Sequence, residues 1–171
     1  MKTKILMQTF PFFLILICLL FSAVSLFAQQ QIEQRDGQQE TAAYEIEMLL
    51  QTNAVTYGQA SRFILEASDI AVFTDTEEAF LYLVENKWLP KNIGSGQAAR
   101  LDVLSGIFMK AFDIKGGLFY SLTRAPHYAY RELVYLNLIQ GKIEPGMNVS
   151  GELLLFITGR ILTQYQIGEA L

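Results

Sequence analysis

At 171 residues, half of them hydrophobic, the chain is long enough for one domain with a real core. Its formal charge is −4, and without Lys2 and Lys4 the remaining 11 basic residues face 17 acidic ones, a net of −6. That balance excludes nucleic acid, which needs a basic footprint, and gives no support to a polybasic patch for anionic lipid.

Residues 1–28 read as a signal peptide. Lys2 and Lys4 supply the positive start, Phe10 to Phe21 the apolar stretch broken only by Pro11, and Ser22, Ala23, Ser25 and Ala28 the small residues before cleavage. Cleavage is expected after Ala28, with Ser25 as the second choice because Leu26 stands where a small residue is usual. The rival reading is an uncleaved anchor, since the apolar stretch approaches the roughly 20 residues that span a bilayer. Cys18, the one cysteine, follows Ile17 and so lacks the small residue that precedes a lipidated cysteine. After cleavage no cysteine remains, hence no disulfide and no thiolate metal site. Residues 29–40, with six glutamines and one apolar residue, read as a flexible linker.

Helical periodicity begins at residue 41. A first helix over about 41–52 has Tyr44, Ile46, Leu49 and Leu50 as its apolar positions, and Thr56-Tyr57-Gly58-Gln59 is a capping box opening a second over about 57–68. Thr74-Asp75-Thr76-Glu77 has the same spacing and opens a third, which runs to about Trp88 before Pro90. A fourth spans about 96–113, a fifth runs from Pro126 to about 139 with Gly141 as its left-handed cap, and a sixth covers about 150–165. Tyr120 and Leu122 suggest a short extended piece between the fourth and fifth. The expected fold is an all-α repeat or bundle of about six helices over residues 41–171.

The sequence matches itself twice. Gly58-Gln59-Ala60-Ser61-Arg62 and Gly96-Gln97-Ala98-Ala99-Arg100 differ at one position. At an offset of 50, Ala79 falls on Ala129, Leu83 on Leu133, Ile93 on Ile143, Gly96 on Gly146, Leu104 on Leu154 and Ile107 on Ile157. Agreement at helix core positions and turn glycines is what a structural repeat requires, and stacked copies cover apolar faces that one copy cannot.

These repeats resemble the S-layer homology family over roughly residues 54–165. Asn137-Leu138-Ile139-Gln140-Gly141 looks like the family's Gly-Leu-Ile-x-Gly helix end, and Glu144-Pro145-Gly146 like its loop. Ala98-Ala99-Arg100-Leu101-Asp102 looks like its Ile-Thr-Arg-Ala-Glu helix start, while Ala60-Ser61-Arg62-Phe63-Ile64 keeps the Arg without the acid and Val149-Ser150-Gly151-Glu152 an acid without the Arg. The resemblance implies a non-enzymatic exported protein of the periplasm or cell envelope, held to cell-wall polysaccharide or peptidoglycan. It also implies ligand contact by the motif arginines, here Arg62 and Arg100.

The candidate ligand-binding residues are therefore Arg62, Arg100, Asp102 and Trp88. A guanidinium fork binds carboxylate or phosphate, and an indole stacks on a sugar face. The plainer readings are arginines that bridge repeats, an acid that caps its own helix, and a tryptophan that belongs to the core. Tyr120, Tyr128, Tyr130 and Tyr135 cluster near the fifth helix and could line a groove. His127 is the one histidine and cannot by itself make a zinc site. Asp69, Asp75, Glu77 and Glu78 lack the alternating spacing of a calcium loop. Asp102 and Glu152 sit at equivalent repeat positions, but helix-surface acids capping their own helices explain them better than a hydrolytic pair. Gly94-Ser95-Gly96 is too short for a phosphate loop, and Asn148-Val149-Ser150 fits a glycosylation acceptor. No cofactor, metal or catalytic residue is expected. A membrane partner is expected only if residues 1–28 stay attached. The alternative function is a helical module docking an envelope protein.

Overall fold

A computed structural model of the chain describes residues 43–141 and 143–166. The expected signal peptide and linker lie outside the described residues. The chain divides between Glu47 and Met48, and the fold is that of the second unit. It is all-α. Residues 43–50 form α1. Then follow α2 (Tyr57–Ala67), α3 (Thr76–Glu85), α4 (Leu101–Ala111), α5 (Leu118–Thr123), α6 (Pro126–Tyr135) and α7 (Gly151–Ile161). A wider π-helical turn, Leu162–Gln166, continues α7. Among the described residues there is no strand, only two isolated antiparallel bridges, Thr56 with Ala98 and Arg100 with Asn148.

Several expected boundaries move, each for a local reason. The Thr56–Gln59 capping box forms in both directions, as its spacing predicts. At α3 the cap is Asp75, whose carboxylate takes the Glu77 amide, rather than Thr74. Helix α4 starts at Leu101 instead of 96 because residues 98–100 are extended in the two bridges. Tyr120 and Leu122 lie on a helix, α5, not on an extended piece. Helix α6 stops at Tyr135 and the left-handed residue that closes it is Asn137; Gly141 does take a positive φ, 93°, but four residues further on.

The ends of α2, α3, α4 and α6 are built alike. In each, a left-handed residue follows the C-cap: Asp69, Lys87, Asp113 and Asn137, with φ between 46° and 60°. The next residue, Ile70, Trp88, Ile114 or Leu138, returns its N–H to a carbonyl in the last turn: Leu65, Leu83, Met109 or Leu133. This is the Schellman arrangement, made here without glycine. Asp and Asn tolerate the left-handed region, whereas lysine is strained there. Lys87→Gly is therefore expected to raise stability by about 0.5–1 kcal/mol, read as a higher denaturant midpoint at unchanged slope.

These ends set the true register of the repeat. Asp69 and Asp113, and the starts of α2 and α4, are 44 residues apart. Lys87 and Asn137, the starts of α3 and α6, and those of α4 and α7 are 50 apart. The six-residue difference falls between α4 and α6, where the six-residue α5 stands. Equivalent positions are buried together: Ala79 with Ala129, Leu83 with Leu133, Leu104 with Leu154, Ile107 with Ile157. The buried hydroxyls of Ser61, Ser105 and Thr158 each bond a carbonyl four residues back, which lets polar residues sit in this core.

Candidate functional site

The repeats meet at the starts of α2, α4 and α7. Val55, Ala99 and Val149 each sit one residue before an N-cap, and all three are fully buried. Their main chains close a ring. The Val55 N–H donates to the Val149 carbonyl at 2.8 Å, Val149 to Ala99 at 2.9 Å, and Ala99 to Val55 at 2.8 Å. Each residue donates once and accepts once, so three buried donors and three buried acceptors are satisfied with no sheet. This is a pseudo-threefold closure of three helix starts.

The first turns of the helices lean on the same segments. Tyr57 and Gly58 donate to the Gln97 and Ser95 carbonyls, and Leu101 and Asp102 to those of Met147 and Pro145. Gly151 donates to Thr52. Main-chain carbonyls thus do for α4 what a capping side chain does elsewhere, which explains an arginine at its N-cap. Gly151 is glycine because a Cβ there would fall on the Leu49 carbonyl at the end of α1.

Two of the four predicted residues come together at this junction. Arg100 grips Asp102 with two hydrogen bonds, Nε to Oδ1 at 3.2 Å and Nη2 to Oδ2 at 2.7 Å. The arginine side chain is 52% exposed and the aspartate 14%, so the pair faces solvent on its cationic side. Gly146, across the seam, presents no side chain, and a Cβ there would lie 3.7 Å from Arg100 Nη2. Behind the pair, the buried Tyr57 hydroxyl accepts the Arg100 N–H at 3.2 Å. Burial raises the Tyr57 pKa and the Asp102 charge adds to this, against the Arg100 N–H and guanidinium, which lower it. Tyr57 thus stays a neutral acceptor. Its role escaped the sequence reading, although the Thr56–Gln59 capping box places it at the first helical position.

The other two residues lie elsewhere. Arg62 is mid-helix in α2, half-buried, and does not occupy the place of Arg100 at an N-cap. The five-residue match between 58–62 and 96–100 is out of register with the fold: one string is helical, the other leads into the ring. The capping box that forms is Thr56-Tyr57-Gly58-Gln59, and Tyr57, Leu101 and Gly151 are the equivalent first residues of their helices. Trp88 is the apolar residue after the left-handed cap of α3, half-buried against the core.

Asp102 is committed to Arg100, and Glu152, at the matching position of α7, is exposed. His127 is exposed on the first turn of α6, its ring edge-on to Tyr128. Tyr120 is buried, Tyr128 and Tyr130 are half-buried, and Tyr135 is exposed, so these rings do not line one groove. The Lys110 ammonium donates to the Lys87 carbonyl at 3.2 Å, and its pKa is lowered by burial and then by the charge of Arg124. Among the described residues no three metal-ligating side chains gather, and no helix is long and apolar enough to cross a membrane. The chain matches no protein-family model, no curated protein and no solved structure.

Proposed function

We propose that this chain is an exported, non-enzymatic module of the cell envelope that binds cell-wall polysaccharide or peptidoglycan at the seam between its first two helix starts. The supporting observation is the exposed Arg100–Asp102 pair, fixed by its own helix start and by the Tyr57 hydroxyl beside the buried ring. Sugar hydroxyls donate and accept, and polymer carboxylates or phosphates accept. A guanidinium held by one carboxylate offers matching donors and an acceptor in a fixed arrangement. Gly146 leaves the approach to the guanidinium open. The resemblance to the S-layer homology family supports the ligand class, and of its two expected contacts, Arg62 and Arg100, only Arg100 lies at this seam.

Co-sedimentation of the purified protein with cell-wall sacculi tests the reading. Saturable binding is expected, with Arg100→Ala weakening it about tenfold or more, the scale of a lost charged hydrogen bond. Arg62→Ala should stay within about twofold, as a residue outside the contact does. Absence of wild-type binding, or equal losses for the two variants with helicity retained, would contradict it.

A further inference from the structure

The six residues by which the second repeat exceeds the first make a protrusion. On α5, Tyr120 turns inward and is buried, while Leu118, Phe119 and Leu122 are 79%, 64% and 80% exposed. Other helices expose large apolar residues too, among them Leu81, Tyr135 and Phe156, but α5 places three of them, Leu118, Phe119 and Leu122, within five residues. The protrusion is packed against its neighbours through aromatic rings. The Phe119 ring stacks on Tyr128 of α6 at 5.6 Å between centroids, and the Arg124 guanidinium lies 5.4 Å from the centre of the Tyr120 ring.

Its later main-chain groups are bonded within the segment. Ser121 donates to the Gly117 carbonyl and Arg124 to that of Tyr120. The Ser121 and Thr123 hydroxyls bond the Gly116 and Phe119 carbonyls.

The charge around the tip runs against the charge of the chain. Lys115 and Arg124 flank α5, and both are exposed. Arg131 is exposed three residues after Tyr128, on the side of α6 against which Phe119 stacks. Two carboxylates share the region, Asp113 and Glu132, the latter drawn against Gly117 at the start of α5. The whole chain is acidic, which hides this local reversal in any sequence-wide count.

We propose that the α5 tip is a wedge that dips into the headgroup region of an anionic lipid bilayer, with Leu118, Phe119 and Leu122 among the acyl boundaries and Lys115, Arg124 and Arg131 on the lipid phosphates. Apolar insertion beside basic side chains is how peripheral proteins hold such surfaces. The acidic remainder is repelled by the same surface and keeps the wedge pointed at it. A protein partner fits less well: a specific interface takes about 800 Å² from each side, more than three side chains on so short a helix present. The wedge is independent of wall binding, since Arg100 and Asp102 lie at the N-cap and first turn of α4 and not on α5.

The test uses the full chain with an environment-sensitive NBD label at the tip, Leu122→Cys in a Cys18→Ser background, and a control label at Leu81→Cys on α3. Phosphatidylglycerol vesicles should enhance and blue-shift the tip label, with quenching by brominated acyl chains, and leave the control unchanged. Phosphatidylcholine vesicles should give about tenfold less response, as should Lys115→Glu and 0.5 M salt. Leu118→Ser changes an exposed position and should lower tip quenching with helicity intact. Equal quenching at both labels, or none at the tip, overturns the proposal, as does a tip response that appears only with added envelope proteins.

Discussion

Gly151→Ala is expected to destabilise the protein by about 3 kcal/mol or more, lowering the thermal midpoint by on the order of 10 °C. A new methyl there meets the main chain of Leu49 rather than the end of a flexible side chain. Relief requires moving α1's last turn away from α7, and that movement also stretches the Gly151 N–H bond to the Thr52 carbonyl, now 2.9 Å. Gly106→Ala on α4 is the internal comparison. A Cβ at Gly106 meets nothing within 4 Å, so this change should stabilise by about 0.5–1 kcal/mol through helix propensity. Denaturant unfolding of the two variants reads both signs. A Gly151→Ala loss below about 1 kcal/mol would show that α1 does not press on α7 as described.

Ala99→Pro is expected to cost about 3 kcal/mol, for a different reason. Proline removes the donor to the Val55 carbonyl and leaves that buried acceptor unpaired. Strain upstream is not the cause, because Ala98 is already extended in its bridge with Thr56, as a residue before proline prefers. Val149→Pro removes the donor to Ala99 and should cost a similar amount. The double variant should lose clearly less than the sum, because a ring opened once no longer holds its remaining bonds in place. Strict additivity, read from unfolding midpoints at unchanged slope, would mean three unconnected hydrogen bonds.

Much of the helical part of the fold was legible because its signals are local. Capping at Thr56, Pro126 at a first turn, and the apolar spacing of Leu104, Ile107 and Leu154, Ile157 are readable within a few residues. The offset of 50 was legible for the same reason, since core positions and turns recur together. The first repeat boundary was not, because α5 interrupts it and the Gly-Gln-Ala-x-Arg strings offered a false register. At the helix ends Gly141 does hold a positive φ, but the left-handed residues that close α2 to α6 are Asp, Lys, Arg and Asn, which the sequence does not mark.

The junction was the least legible part. Val55, Ala99 and Val149 look like ordinary apolar residues, and their role is carried by backbone groups that every residue has. Arg100 and Asp102, only two residues apart, were found from their resemblance to a motif, but the Tyr57 hydroxyl behind them comes from a segment 43 residues away in sequence. The exposed tip was hidden too, because Tyr120 and Leu122 read as a short extended piece, and the helix that turns Tyr120 inward leaves Leu118 and Leu122 exposed.

Closure of three helix starts into one buried ring holds the proposed ligand seam in place. Native-state amide hydrogen exchange at Val55, Ala99 and Val149 tests it most directly. The closed ring predicts that all three amides exchange only through global unfolding, within about tenfold of one another and among the slowest in the chain. If any one of them exchanges about a hundredfold faster than the other two, the ring is not closed and the repeats are joined in some other way.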